Sequence, residues 1–202
     1  MSRAMQINWQ SPDATFFSPL QSTAGETELV LSEIHKAVPG VQRTVSFTSA
    51  FDNSGINLTL GGVTIYGEEI GETVVGPNAE TIETVNEYHQ LYIVTCSDSI
   101  TAVSVGTGTG GLGIFALNNE NPYFKATIDT GVSGTVDYSL TRTSFNPQSD
   151  ESVYFPIDSA LTNATANQTW SLDQVSSAVK VVFDKDPANT GSVDINLVQQ
   201  GI

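Results

Sequence analysis

Basic residues are scarce in this chain: 7 Lys+Arg stand against 22 Asp+Glu, for a formal net charge of −15 at pH 7. Such a balance repels nucleic-acid phosphates and anionic lipid, so direct binding to nucleic acid or to a membrane surface is not expected. Cysteine is nearly absent as well. The single Cys96 cannot form an internal disulfide, and within the apolar run Gln90-Leu91-Tyr92-Ile93-Val94-Thr95-Cys96 it reads as a buried strand thiol rather than a nucleophile. The two histidines, His35 and His89, have no second His or Cys at metal-ligand spacing, which argues against a zinc site and against acid–base chemistry built on histidine. Long apolar runs are missing too: no stretch approaches the length of a membrane-crossing helix. No basic segment followed by an apolar run opens the sequence, so synthesis in a cytoplasm without export is expected. The chain reads as non-enzymatic, with no catalytic residue, metal or cofactor expected.

What remains is β chemistry. Charged residues make up only 14% of the chain, so Thr, Ser, Asn and Gln carry most of the polar surface, as in exposed β proteins. Short β-branched runs alternate with Gly, Pro and Asn punctuation from Leu58 to Gly106, and the same pattern resumes further on. Alternation places Ile56, Leu58 and Leu60 on one face of a strand and Asn57 and Thr59 on the other, and it groups Val136, Tyr138 and Leu140 in the same way. Ala178–Phe183 and Ser192–Val198 bracket the turn-rich segment Asp184–Gly191 and are expected to form a closing hairpin. The fold class expected is all-β, with two antiparallel β-sandwich-like modules and an extended N-terminal arm. The arm covers residues 1–40, the first module 41–117 and the second 118–202. Within the arm, Glu28–Ser32 could begin a strand, or Ser32–Ala37 could form one helical turn before Pro39-Gly40; the pattern leaves both open.

Three motifs invite a chemical reading and fail it. Gly108-Thr109-Gly110-Gly111-Leu112-Gly113 fits Gly-x-Gly-x-x-Gly in form, but no helix begins at its end and no Gly-Lys-Ser/Thr follows. It is expected to be a linker or wide loop. The acidic segment Asp184–Asn189 lacks the Gly and the bidentate Glu of a calcium loop and reads as turn chemistry. Glu68-Glu69 and Asp150-Glu151 fall in polar loops, with nothing to raise the pKa of one partner as a glycosidase pair requires.

The N-terminal arm shows neither a helical nor a strand period over residues 1–27, yet it carries Trp9, Phe16 and Phe17. These three are the candidate partner-binding residues: an arm with aromatic anchors can order itself by docking on a neighbouring molecule, or by docking back on its own domain.

The segments Ile56–Gly62, Glu72-Thr73-Val74-Val75-Gly76-Pro77-Asn78-Ala79 and Val103-Ser104-Val105-Gly106-Thr107 resemble a repeated pattern in the virion proteins of tailed bacteriophages. There a Thr-Glu-Thr-Val-x-Gly-Pro-Asn segment follows a glycine-marked strand, and a Val-Ser-Val-Gly-Thr strand ends the unit. The second module resembles the usual partner of that unit, from Gly134–Leu140 through a mid-way Trp to Ser192–Gly201. The segment Gly67–Gly71 and the connection Asn86–His89 are acidic variants, and the long arm is not part of the pattern. The resemblance implies a virion structural protein, acting as a capsid decoration or cement protein that binds the major capsid protein or other virion proteins in many symmetric copies. Two other readings stay open: a head-to-tail connector or tail or fibre-base component, and a carbohydrate-binding β-sandwich that stacks sugars on Trp9, Trp170 or Tyr66.

Overall fold

The structure, a computed structural model, describes residues 3–32, 41–117, 125–143, 155–156, 166–172 and 176–200. Among these residues the fold is all-β, with no helix. In chain order the first strands are β1 Arg3–Trp9, β2 Ser18–Gln21, β3 Thr27–Glu28, β4 Val41–Thr48 and β5 Asn57–Val63. They are followed by β6 Glu69–Val75, β7 Thr81–Tyr88, β8 Gln90–Cys96, β9 Val103–Ala116 and β10 Lys125–Ser133. The last are β11 Tyr138–Thr143, β12 Phe155–Pro156, β13 Gln168–Leu172, β14 Ala178–Phe183 and β15 Ser192–Gln200. The helical turn left open for Ser32–Ala37 and the acidic pair Asp150-Glu151 lie wholly or mostly outside the described residues.

The chain divides into two compact units. One comprises Met1–Ser11, Pro39–Val41 and Leu112–Ile202; the other, the central unit, comprises Pro12–Val38 and Gln42–Gly111. This division departs from an arm followed by two consecutive modules, because three strands within residues 3–28 are built into sheets instead of standing apart. Arg3–Trp9 runs antiparallel to β15 over seven pairs, from Arg3↔Gln199 to Trp9↔Val193. The expectation that residues 1–27 lack a strand period fails at Met5-Gln6-Ile7-Asn8-Trp9, where Ile7 and Trp9 are buried and Gln10 beyond them is exposed.

In the terminal unit, one sheet has the order β1-β15-β10-β13. Strand β15 shows why it forms: Val193, Ile195 and Leu197 are buried while Asp194 and Asn196 between them are exposed. Across the sheet Ile128 sits opposite Leu197, and Ile7 opposite Ile195, so one face is a continuous apolar layer. On the other face Asn8 donates to Asp194 Oδ1 at 2.7 Å. The apolar layer meets Tyr138, Leu140, Val181 and Phe183 of the β11–β14 pair, all buried. Trp9 stacks on Phe183 with ring centroids 3.8 Å apart and 13° between the planes. Strands β14 and β15 do not pair as the expected hairpin. They belong to different sheets, and the connection between them crosses from one layer of the sandwich to the other.

The central unit also has two sheets. Strand β4 lies between β7 and the first part of β9, and β2 pairs with β9 at Ser18↔Val105 and Gln21↔Val103. The second sheet has the order β3-β8-β5-β6. Leu58 and Leu60 of β5, with Leu91 and Val94 of β8, are buried along with Val45, Phe47, Val103 and Val105. The expected in–out alternation of β5 is therefore present.

The Trp9–Phe183 stack seats the first strand of the chain in this core. Truncation Trp9→Ala is expected to cost about 3–5 kcal/mol in an equilibrium urea titration; a loss of only a few tenths would show that Trp9 is not a core residue.

Candidate functional site

The glycine tract is not a loop. Residues 106–111 lie within β9, buried throughout, and the missing side chains at Gly106 and Gly108 are what let neighbouring groups approach. A Cβ at Gly108 would collide with Thr44 Oγ1 and the Glu83 carboxylate, and one at Gly106 with the backbone of Asp13 and Ala14. The space freed at Gly108 holds a polar cluster. Arg43, only 2% exposed, donates through Nη2 to the Gly108 carbonyl. The Glu83 carboxylate accepts from Thr44 Oγ1 at 2.8 Å and from Thr109 N and Oγ1 at 3.1 and 3.0 Å. Burial lowers the Arg43 pKa to about 10, with the Glu83 charge opposing the shift. The folded chain therefore disfavours charged Arg43 relative to the unfolded chain, a penalty present at neutral pH and relieved as pH rises through 10. This arrangement positions β4, β7 and β9 against one another. Its side chains are buried or half-buried.

An accessible surface lies instead on the β3-β8-β5-β6 sheet. Alternation directs Asn57, Thr59 and Gly61 of β5 away from the core, and register aligns them with Val75, Thr73 and Gly71 of β6 and with Thr95 and Ile93 of β8. Thr59 and Thr73 share a hydroxyl–hydroxyl hydrogen bond of 2.9 Å on this outer face. Val75 is 56% exposed and Ile93 38%. Where Gly61 and Gly71 face each other the surface drops into a pocket of about 330 Å³, lined by Gly61, Gly62, Glu69, Ile70, Gly71, Tyr92 and Ile93. A register shift in the β5–β8 pairing between Gly61 and Gly62 sets Tyr92 at its wall. The buried Tyr88 ring lies under Gly62, within 2.8 Å of where a Cβ would stand.

Strand β6 forms one border of this face. The bonds Gly76 N to Ile56 O, 2.8 Å, and Thr64 N to Glu68 O, 2.9 Å, fix the parity of the β5–β6 ladder. Even-numbered residues of β6 bond to β5, and the N–H and C=O groups of Glu69, Gly71, Thr73 and Val75 point the other way. Glu72, on the opposite face of the strand, ties β6 to β7 by accepting from Val85 N at 2.9 Å and Asn86 N at 2.6 Å. Those bonds satisfy the bulge of β7, where residues 84–86 stand against Val45 and leave Val85 85% exposed.

The three candidate partner-binding residues are placed as follows. Trp9 is buried in the terminal unit; Phe17 is buried in the central unit, and the partly exposed Phe16 meets it edge-to-face at 5.0 Å. Of the two alternatives for the arm, Trp9 and Phe17 are thus engaged with their own chain. Trp9 cannot serve as a sugar platform, whereas Trp170 and Tyr66 are partly exposed. Cys96 is 1% exposed, with its thiol 3.2 Å from Thr27 O and 3.4 Å from Thr23 Oγ1. His89 follows β7 and donates its backbone N–H to Val63 O, and His35 lies outside the described residues. In the segment Asp184–Asn189 the backbone closes on itself, Asn189 Nδ2 donating to Asp184 O and Ala188 N to Asp186 Oδ1. No group of three or more His, Cys, Asp or Glu side chains able to hold a metal occurs among the described residues. The β6 edge and the glycine pocket were missed in the sequence. Their signal was Gly61-Gly62 paired with Gly71 across a hairpin.

No protein-family model matches the chain, and no curated protein matches it. Among solved structures it is similar to crystal structures of a wild-type and a variant BuGH86 in complex with neoagarooctaose, at 11% and 12% identity and a TM-score of 0.22. Each alignment covers 98% of this chain and 32% of the other. A likeness at that score carries no argument about activity.

Two outcomes are expected for the charged groups. Glu83→Gln, which leaves Arg43 buried without its counter-charge, is expected to cost about 3 kcal/mol by urea unfolding, and adding Arg43→Met is expected to recover part of that loss. Asp137, whose carboxyl is held above the ordinary range by burial and then by Asp184 and Asp186, behaves differently. The fold favours its protonated form, so its contribution to stability falls as pH rises above the ordinary carboxylate pKa. Thermal melts of Asp137→Asn against the parent should show a gain in Tm at pH 7 that shrinks toward pH 3; a gain independent of pH would contradict the assignment.

Proposed function

We propose that this chain is a non-enzymatic structural protein of a tailed-phage virion, a capsid decoration protein that binds the major capsid shell and stabilises it. The observation that carries the reading is the open sheet of the central unit, to whose β5 and β6 two of the segments that carry the resemblance contribute. Residues 56–62 contribute β5 and residues 72–79 the end of β6 and its Gly-Pro-Asn corner, while residues 103–107 begin β9 in the other sheet of the unit. At the corner Asn53 N donates to Pro77 O at 2.8 Å, and a Cβ at Gly76 would strike Asn53 O. The corner is a fixed support for the strand edge.

Charge supports docking on a basic surface. From Thr44 to Phe124 the sequence contains no Lys or Arg, and Arg43, just before it, is buried. Apolar area removed from water at a subunit seam would contribute about 25 cal/mol per Å² before association costs, and symmetric repetition would multiply modest contacts. Trp9 and Phe17 are occupied within the chain and do not supply this contact.

Cryo-electron microscopy of the parent particle tests the proposal. Density for this chain on the capsid shell is the expected outcome. Density confined to the portal or tail would overturn it in favour of a connector or tail component.

A further inference from the structure

The outward edge of β6 has the features of a strand-docking site. Thr73 and Val75 present their N–H and C=O groups away from β5, and no strand pairs with them among the described residues. At Gly71 the outward carbonyl accepts only a long bond, 3.3 Å, from Asn86 Nδ2. Natural edge strands are usually blunted by lysine, proline or an inward charge. Strand β6, Glu-Ile-Gly-Glu-Thr-Val-Val, has no lysine and no proline, and its Glu72 is turned onto β7. With a rise of about 3.4 Å per residue it offers an edge of roughly 20 Å.

We infer that this edge takes an extended, cationic segment of a partner protein as an added strand, with a Lys or Arg side chain laid across Gly71 into the glycine pocket. The inference rests on the decoration-protein reading for the identity of the partner and names the segment that would meet this surface. Three observations select a cationic segment. Glu68 and Glu69 are exposed at one end of the edge and Glu80 just beyond the other. No basic residue lies in the sequence from Thr44 to Phe124 to neutralise them. Glu69 also lines the pocket itself.

Geometry selects a long side chain. A strand added beside β6 lies about 4.8 Å from it and would displace the Asn86 amide from the Gly71 carbonyl; Gly71 and Gly61 are aligned across β6 and β5, so a side chain laid over Gly71 on the outer face meets backbone without a Cβ. The stem of a Lys or Arg can lie along that trough toward Ile93 and Tyr92 while its charge stays beside the Glu69 carboxylate. Main-chain bonds to Thr73 and Val75 would supply affinity, and the trough would supply register. A second copy of this chain is disfavoured, because antiparallel pairing of two β6 edges would bring together acidic ends of molecules that each carry a net charge of −15.

The test uses the full chain and a fluorescent peptide of alternating Lys and Val, with an alternating Glu and Val peptide as control. Expected are saturable anisotropy binding of the Lys peptide alone and slowed amide exchange at Thr73 and Val75. At least tenfold weaker binding is expected in Thr73→Pro, which removes an outward N–H while sparing the β5 ladder. Glu69→Lys, a surface change that leaves the backbone intact, should weaken binding similarly and keeps the test open if Thr73→Pro does not fold. Binding insensitive to both variants, no protection of the two amides, or no binding at all would overturn the inference. So would a dimer in the absence of peptide that Thr73→Pro abolishes, which would give the edge to a second copy. Decoration of capsids by both variants at parental occupancy would overturn the strand edge and leave the decoration reading standing. Peptide binding by a chain that does not attach to capsids would do the reverse.

Discussion

Strand β9 carries glycine at 106, 108, 110 and 111 where it runs beside β4, and that constraint governs the central unit. A glycine-rich strand loses packing energy and has more conformational entropy to surrender. It is tolerated here because the space is filled from neighbouring strands, by Thr44, Glu83 and the guanidinium of Arg43. A charged pair in that position is a poor source of net stability, since desolvation offsets its attraction. Its effect is positional: only one register lets Arg43 reach the Gly108 carbonyl while Glu83 reaches Thr109. Chain continuity extends the same strand into the terminal unit, where a Cβ at Gly113 would press on Ile7 and Val41. Close approach to glycine therefore recurs in both units.

Glycine has a different effect on the β5–β6–β8 face. There Gly61 and Gly71 leave a depression in an otherwise threonine-rich surface, and Gly62 admits the Tyr88 ring from below. One residue type thus makes internal room in β9 and external relief in β5 and β6. The external relief lies next to an edge whose backbone groups are directed outward. A sheet edge offers strong but unselective hydrogen bonding, whereas a pocket of fixed depth beside it discriminates among side chains. The absence of basic residues over the intervening sequence adds a field of one sign, which favours encounter with a cationic partner and weakens as salt rises.

Much of the architecture was legible in the residues. Alternation in Asn57–Leu60 and Tyr138–Leu140 placed strands and inward faces correctly, because a period of two is a local property of the pleat. The buried thiol of Cys96 followed from its apolar run in the same way. Two readings failed for a common reason. Met5-Gln6-Ile7-Asn8-Trp9 has the strand period but finds its pairing partner in β15, nearly the whole chain length away, and Ala178–Phe183 followed by Ser192–Val198 has the look of a hairpin although its strands enter different sheets. Pairing choice between distant segments leaves no mark in either segment by itself.

The sequence by itself determined the strand content, the acidic surface and the inward residues of most strands, since each depends on neighbours along the chain or on bulk composition. Tertiary structure decided the rest: that the aromatic N-terminal strand lies within a sandwich, that the glycine tract is a buried strand instead of a linker, and which edge is left open. These outcomes depend on which backbone approaches which, and a residue without a side chain is silent on that point until its neighbour is in place.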